Sequence, residues 1–168
     1  MKNRSLALAA LLIGVSLVPA FAQRAASQPA PALLFVYEAK DKKIDPWISL
    51  FKEELQSSGM NAEFAVPADL AGKDLSAYDR IVVYGVVQAF ASAEPIRDWL
   101  KTDIVLSGKK VHLFVTANQW ALKKYFDQLE KLLAKKKATV VDAVSSATNK
   151  LSDSDKRALV KVFVGKIR

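Results

Sequence analysis

Three stretches of this 168-residue chain are apolar in near-continuous runs rather than in alternation: Ala32 to Tyr37, Ile81 to Tyr84 and, but for one histidine, Val111 to Val115. A strand with one wet face alternates apolar and polar residues, because successive side chains point to opposite sides of the sheet. An unbroken apolar strand has to be covered on both faces, which is the situation of a parallel sheet sandwiched between helices. The segments between the runs have the matching helical pattern. Asp45-Pro46 supplies an N-cap and a proline at the first helical position, Trp47, Ile48, Phe51 and Leu55 form one stripe, and Ser57-Ser58-Gly59 stops the helix.

The rest of the chain continues the alternation. Asn61 to Val66 is a shorter, alternating strand suited to a place nearer the edge of the sheet. A connection with at most a short helix, Pro67 to Tyr78, leads to Arg80 to Tyr84, a buried strand ending at Gly85. Glu94-Pro95-Ile96 opens a helix through Lys101, and Ser107 to Lys110 turns into a fourth strand, Val111 to Thr116. Gln119 to Lys136 is a long helix with Leu122, Tyr125, Phe126, Leu129, Leu132 and Leu133 along one face. Thr139 to Val144 is the fifth strand, and Ser152 with Asp155 resembles a capping box for a last helix through about Lys166. Five strands alternating with helices predict an open parallel sheet with right-handed crossovers, a three-layer α/β/α sandwich in one domain.

The N-terminus is of another kind. Met1-Lys-Asn-Arg4 is basic, Leu6 to Val18 is apolar apart from Gly14 and Ser16, and Ala20-Phe21-Ala22 has small residues where a signal peptidase needs them. Residues 1–22 are therefore expected to be a signal peptide, too short for the roughly 20-residue apolar run of a membrane span. Residues 23–31, rich in Pro and Ala, suit a disordered leader, and the domain occupies 32–168. Intact-mass measurement of exported material should find a chain starting at Gln23; an uncut Met1 form would refute the reading. The absence of cysteine removes disulfides, thiolate chemistry and a lipid-modified cysteine. A soluble periplasmic or secreted protein is expected. The formal charge of +8 becomes +6 on cleavage, since the signal peptide takes two of the 25 basic residues, Lys2 and Arg4, and none of the 17 acids.

Several chemistries are excluded by what the chain lacks. His112 sits alone in an apolar strand, with no second histidine and no cysteine for a metal site or a His-based catalytic pair, so a sheet-face or core role is expected. Lys131, Lys135, Lys136 and Lys137 fall in the last turn of a helix and just beyond, where cations complement the helix dipole. Nucleic-acid binding would want a basic face interleaved with exposed aromatics, and most aromatics here lie on apolar stripes.

Tyr78-Asp79-Arg80-Ile81-Val82-Val83-Tyr84-Gly85 resembles the third strand of the flavodoxin family. Glu94 to Leu100 is similar to the start of its following helix, and Gly108 to Thr116 to its fourth strand. The resemblance covers most of residues 32–168. It implies the sheet order 2-1-3-4-5, with ligands bound outside the strand carboxyl ends between β1 and β3. Three loops meet there: Glu38 to Ile44, Val86 to Ala93 and Ala117 to Trp120. In that family the first loop holds the FMN phosphate on a Ser/Thr- and Gly-rich turn, and the other two flank the isoalloxazine, often with aromatics. A receiver domain of the response-regulator type shares the topology, but it needs an acidic cluster after β1 and an aspartate ending β3, where this chain has only Glu38 and Tyr84-Gly85.

The first loop reads Glu38-Ala-Lys-Asp-Lys-Lys-Ile-Asp45, without Gly, Ser or Thr. Phosphate anchoring on backbone N–H groups needs a tight turn that those residues permit. FMN is thus the cofactor the resemblance implies, and the loop predicts weak binding or none. The residues placed to touch a small planar ligand are Lys42 as a point charge, Gln88 and Phe90 in the second loop, and Asn118 and Trp120 after the fourth strand. Two functions follow. One is an exported binding or structural module of the cell envelope without a working FMN site; the other, implied by the resemblance, is an FMN-dependent electron-transfer protein or quinone-linked oxidoreductase.

Overall fold

The computed structural model describes residues 33–39, 41–87, 94–147 and 151–167. β1 (Leu33–Tyr37), α1 (Asp45–Ser57), β2 (Ala62–Ala65), β3 (Arg80–Val86), α2 (Glu94–Lys101), β4 (Lys110–Ala117), α3 (Gln119–Lys135), β5 (Thr139–Ala147) and α4 (Asp153–Ile167) follow one another, with a single 3-10 turn at Pro67–Leu70. The five strands form one sheet in the order β2-β1-β3-β4-β5, with every pair parallel. This is the order the resemblance implies.

Alternation divides the apolar runs between two cores. Leu34, Val36, Ile81, Val83, Val111, Leu113 and Val115 face α2 and α3. Leu33, Phe35, Val82, Tyr84 and Phe114 face α1 and α4. β1 is buried along its whole length, which is why its sequence shows no polar residue. His112 packs among these residues at 4 % exposure, its ring edge-on to Phe163. Burial pushes its imidazole below the usual histidine range, and no hydrogen-bond partner meets its Nδ1 among the described residues.

Most boundaries shift by a residue or so from the sequence reading, and two of the differences have a clear cause. Ile44, not Asp45, is the N-cap of α1, so Asp45 and Pro46 fill the first two helical positions. The cause is local: the carbonyl of Asp41 already accepts the N–H groups of Ile44 and Asp45, and the Ile44 side chain is drawn into the core at 2 % exposure. β5 runs to Ala147, three residues past its expected end at Val144, because β4 continues to Ala117 and offers backbone partners for Ser145, Ser146 and Ala147. The capping box of α4 has both arms. The Asp155 N–H donates to Ser152 Oγ at 3.2 Å, and the Ser152 N–H donates to Asp155 Oδ2 at 3.1 Å.

Gly85 marks a close approach of helix to sheet. A Cβ built there would stand 2.7 Å from both Cε1 and Oη of Tyr125 and 3.0 Å from Leu129 Cδ1, so α3 can lie on β3 only because the side chain is missing. Gly85→Ala should cost about 1 to 3 kcal/mol through overpacking. Urea unfolding checks this, and an unchanged midpoint would mean that α3 shifts freely.

Candidate functional site

The carboxyl ends of the parallel strands gather at one end of the sheet, and the chain turns in opposite directions from β1, to β2 on one side and to β3 on the other. In open α/β sheets a crevice forms at that point. The residue that leaves β1 there is Glu38, which is only 7 % exposed. It continues the alternation of Leu34 and Val36 and so turns toward α2 and α3. Its Oε1 accepts the N–H of Ile96 in the first turn of α2 at 3.3 Å, and its Oε2 accepts the hydroxyl of Tyr125 from α3 at 3.4 Å. The backbone N–H of Val86 at the end of β3 adds a further bond. One carboxyl therefore joins β1, β3, α2 and α3.

Burial dominates the chemistry of this group. Desolvation raises its pKa from 4.5 to about 7, against the opposing pull of the Ile96 and Val86 N–H groups, the Tyr125 hydroxyl and the Arg97 charge. Desolvation, with the nearby Glu38 charge second, pushes the Tyr125 phenol far above its ordinary range. On the other face Tyr84 Oη lies 3.2 Å from Thr116 Oγ1, and burial raises that phenol too.

A carboxyl whose folded pKa lies above its unfolded one keeps an extra proton in the native state between the two values. Its contribution to stability is complete below the unfolded value of 4.5 and is lost as pH rises through about 7. The loss amounts to about 3 kcal/mol. Glu38→Gln should remove this slope. The measurement is the difference in unfolding free energy between wild type and variant from pH 4 to 8, which cancels the opposing titration of His112. A constant difference would place Glu38 in water.

The described end of the first loop, residues 41–45, is closed on itself. Asp41 accepts the N–H of Lys43 on its Oδ1 at 2.7 Å. Its carbonyl takes the N–H groups of Ile44 and Asp45 at 2.8 and 2.9 Å. The next residue, Pro46, has no N–H, and the Asp45 carboxylate adds negative charge to the first turn of α1.

The predicted site residues divide into two groups. Lys42 is exposed on this loop. Asn118 is the N-cap of α3, where its carbonyl accepts the N–H groups of Ala121 and Leu122 while its side chain does not cap the helix. Trp120, in the first turn of α3, is 71 % exposed and so stands outside the core. Gln88 and Phe90 lie outside the described residues. Glu38 was not among the residues singled out as ligand contacts. Its one sequence signal is a carboxylate placed directly after a strand buried on both faces. No group of three or more metal-ligating side chains occurs among the described residues, and no helix among them is long and apolar enough to cross a membrane.

No protein-family profile matches the chain, and no curated protein matches it. Solved structures do. Oxidised flavodoxin 2 from Bacillus cereus superposes with a TM-score of 0.65 at 19 % identity, over 80 % of this chain and 96 % of that one. The general stress protein 14 of Treponema denticola, in complex with FMN, gives a TM-score of 0.61 at 10 % identity, over 82 % and 98 %. Fusobacterium nucleatum flavodoxin bound to flavin mononucleotide gives 0.57 at 12 % identity, over 80 % and 95 %. The likeness at these identities is one of fold.

Proposed function

We propose that this chain, whose fold is flavodoxin-like, is an exported module that works without FMN, as a binding or structural protein of the cell envelope. The observation that carries this reading is the use of Asp41: three successive N–H groups of the first loop already have acceptors within the loop. A phosphate held there would have to displace them and would meet the Asp41 and Asp45 carboxylates in their place. The residues of this loop do not fit the group. Glu38 supports the same reading, since it takes the Ile96 N–H at the first turn of α2, a second place where an anion would otherwise find a donor.

Its ligand is a small planar molecule held over the strand carboxyl ends. Lys42, Asn118 and Trp120 border the strand carboxyl ends, and an exposed tryptophan offers a face on which a planar ring can stack. The rival reading, FMN-dependent electron transfer or a quinone-linked oxidoreductase, has in its favour the FMN-bound neighbours of the same fold. The absorption spectrum of the purified mature protein separates the two. A colourless protein is expected; flavin bands that survive gel filtration would overturn the FMN-free reading.

A further inference from the structure

The strand pairing gathers positive charge at the other end of the sheet, where β3 and β4 begin. Arg80 and Lys110 are register partners on adjacent strands. Side chains two apart along a strand share a face, so Arg80 stands on the side of Val82 and Lys110 on the side of His112. Val82 belongs to the core under α1 and α4, and the His112 ring lies edge-on to Phe163 of α4. Both cations are therefore on the α4 face of the sheet, beside the last turn of that helix. Arg80 Nη1 donates to the carbonyl of Ile167 there at 2.7 Å, which holds the guanidinium in place. A concavity of about 700 Å3 lies at this junction, lined by Arg80, Lys109, Lys110, Lys166 and the His112 ring. Its volume is within the range of small-molecule sites, roughly 300 to 1,000 Å3.

The charge of the lining selects the occupant. Asp79 is the one carboxylate among the lining residues, so four cations leave the wall at +3. Arg80 and Lys109 donate to the carbonyls of Ile167 and Ser76, which are neutral, and both keep their full charge. Lys110 has no ion pair among the described residues. Lys166 alone is paired, with Asp142 at 3.1 Å, and counting that carboxylate still leaves +2. Val141 and Ile167 are the only large apolar residues of the wall, too few for a greasy ligand. We infer that this concavity is a second ligand site, separate from the strand carboxyl ends, for a compact anion of two or more charges of the phosphate or polyphosphate class, received by Arg80 and Lys110.

Pyrophosphate is the probe, and the chain's single histidine is the reporter. In proton spectra of the untagged protein the His112 Cε1–H signal should move saturably as pyrophosphate is added at fixed pH. Acetate, a monoanion, should leave it in place at the same concentration. Raising salt from about 0.01 to about 0.15 M should weaken binding severalfold, as screening requires. Lys110→Glu, at an exposed position where the fold is indifferent to charge, should weaken it at least about tenfold. Lys124→Glu makes the same change in net charge on exposed α3 surface and should bind like wild type. A His112 signal that does not respond, a response equal for acetate, or equal losses in the two lysine variants would each overturn the inference. Pelleting with phosphatidylglycerol vesicles but no response to pyrophosphate would assign the cations to a membrane surface and overturn it too. Failure here leaves the FMN-free reading of the opposite end of the sheet untouched.

Discussion

FMN added to the purified protein should bind with a dissociation constant in the micromolar range or weaker. Each charge-assisted hydrogen bond from a backbone N–H to a phosphate oxygen contributes roughly 1.5 to 3 kcal/mol. The N–H groups of Lys43, Ile44 and Asp45 all donate to Asp41. Three missing bonds correspond to at least about a thousandfold in affinity, before repulsion from Asp41 and Asp45 is counted. Quenching of flavin fluorescence on titration reads this directly. A nanomolar constant would sink the prediction and would mean that Lys42 and Lys43 hold the phosphate as point charges.

Phe114→Ala should lower the unfolding free energy by about 3 to 5 kcal/mol. The Phe114 ring is fully buried and lies 5.0 Å from Phe51, 5.0 Å from Phe163, 5.3 Å from Tyr84 and 5.7 Å from Trp47, centroid to centroid. These neighbours come from α1, α4 and β3, so none can close the gap without dragging its own element. A cavity would remain, and the cost grows with its volume. Chemical denaturation measures the loss. A change below about 1 kcal/mol would show that the rings repack around the missing one.

The sheet was legible because each of its strands carries its own signature. Continuous apolar runs gave the three central strands, alternation gave β2 its edge position, and Glu94-Pro95 and the Ser152-Asp155 box gave two helix starts. The site was less legible, for a reason of distance along the chain. Glu38 reads as one more charged loop residue until Ile96, 58 positions on, and Tyr125, 87 positions on, are brought to it. Local patterning says that a carboxylate follows β1 but not that two helices will seal it from water. The missing Gly, Ser and Thr of the first loop were visible, but the role of Asp41 was not, since an aspartate in a lysine-rich loop is ordinarily solvated. Trp120 shows the opposite limit. Propensity favours burying a tryptophan near a helix start, and only the placement of α3 leaves its ring exposed.

The distribution of rings has a consequence for where the molecule tolerates substitution. Every ring–ring contact among the described residues lies on the α1 and α4 side, from Phe35 and Phe64 through Tyr84 to Phe163. The α2 and α3 side is mostly aliphatic and carries Glu38. Interlocked rings tolerate few volumes and orientations, whereas branched aliphatic side chains repack at small cost. Truncating a ring on the α1 and α4 side should therefore cost more stability than a volume-conserving swap among the aliphatic side chains of the other half, with Gly85 and Glu38 as the fixed points there.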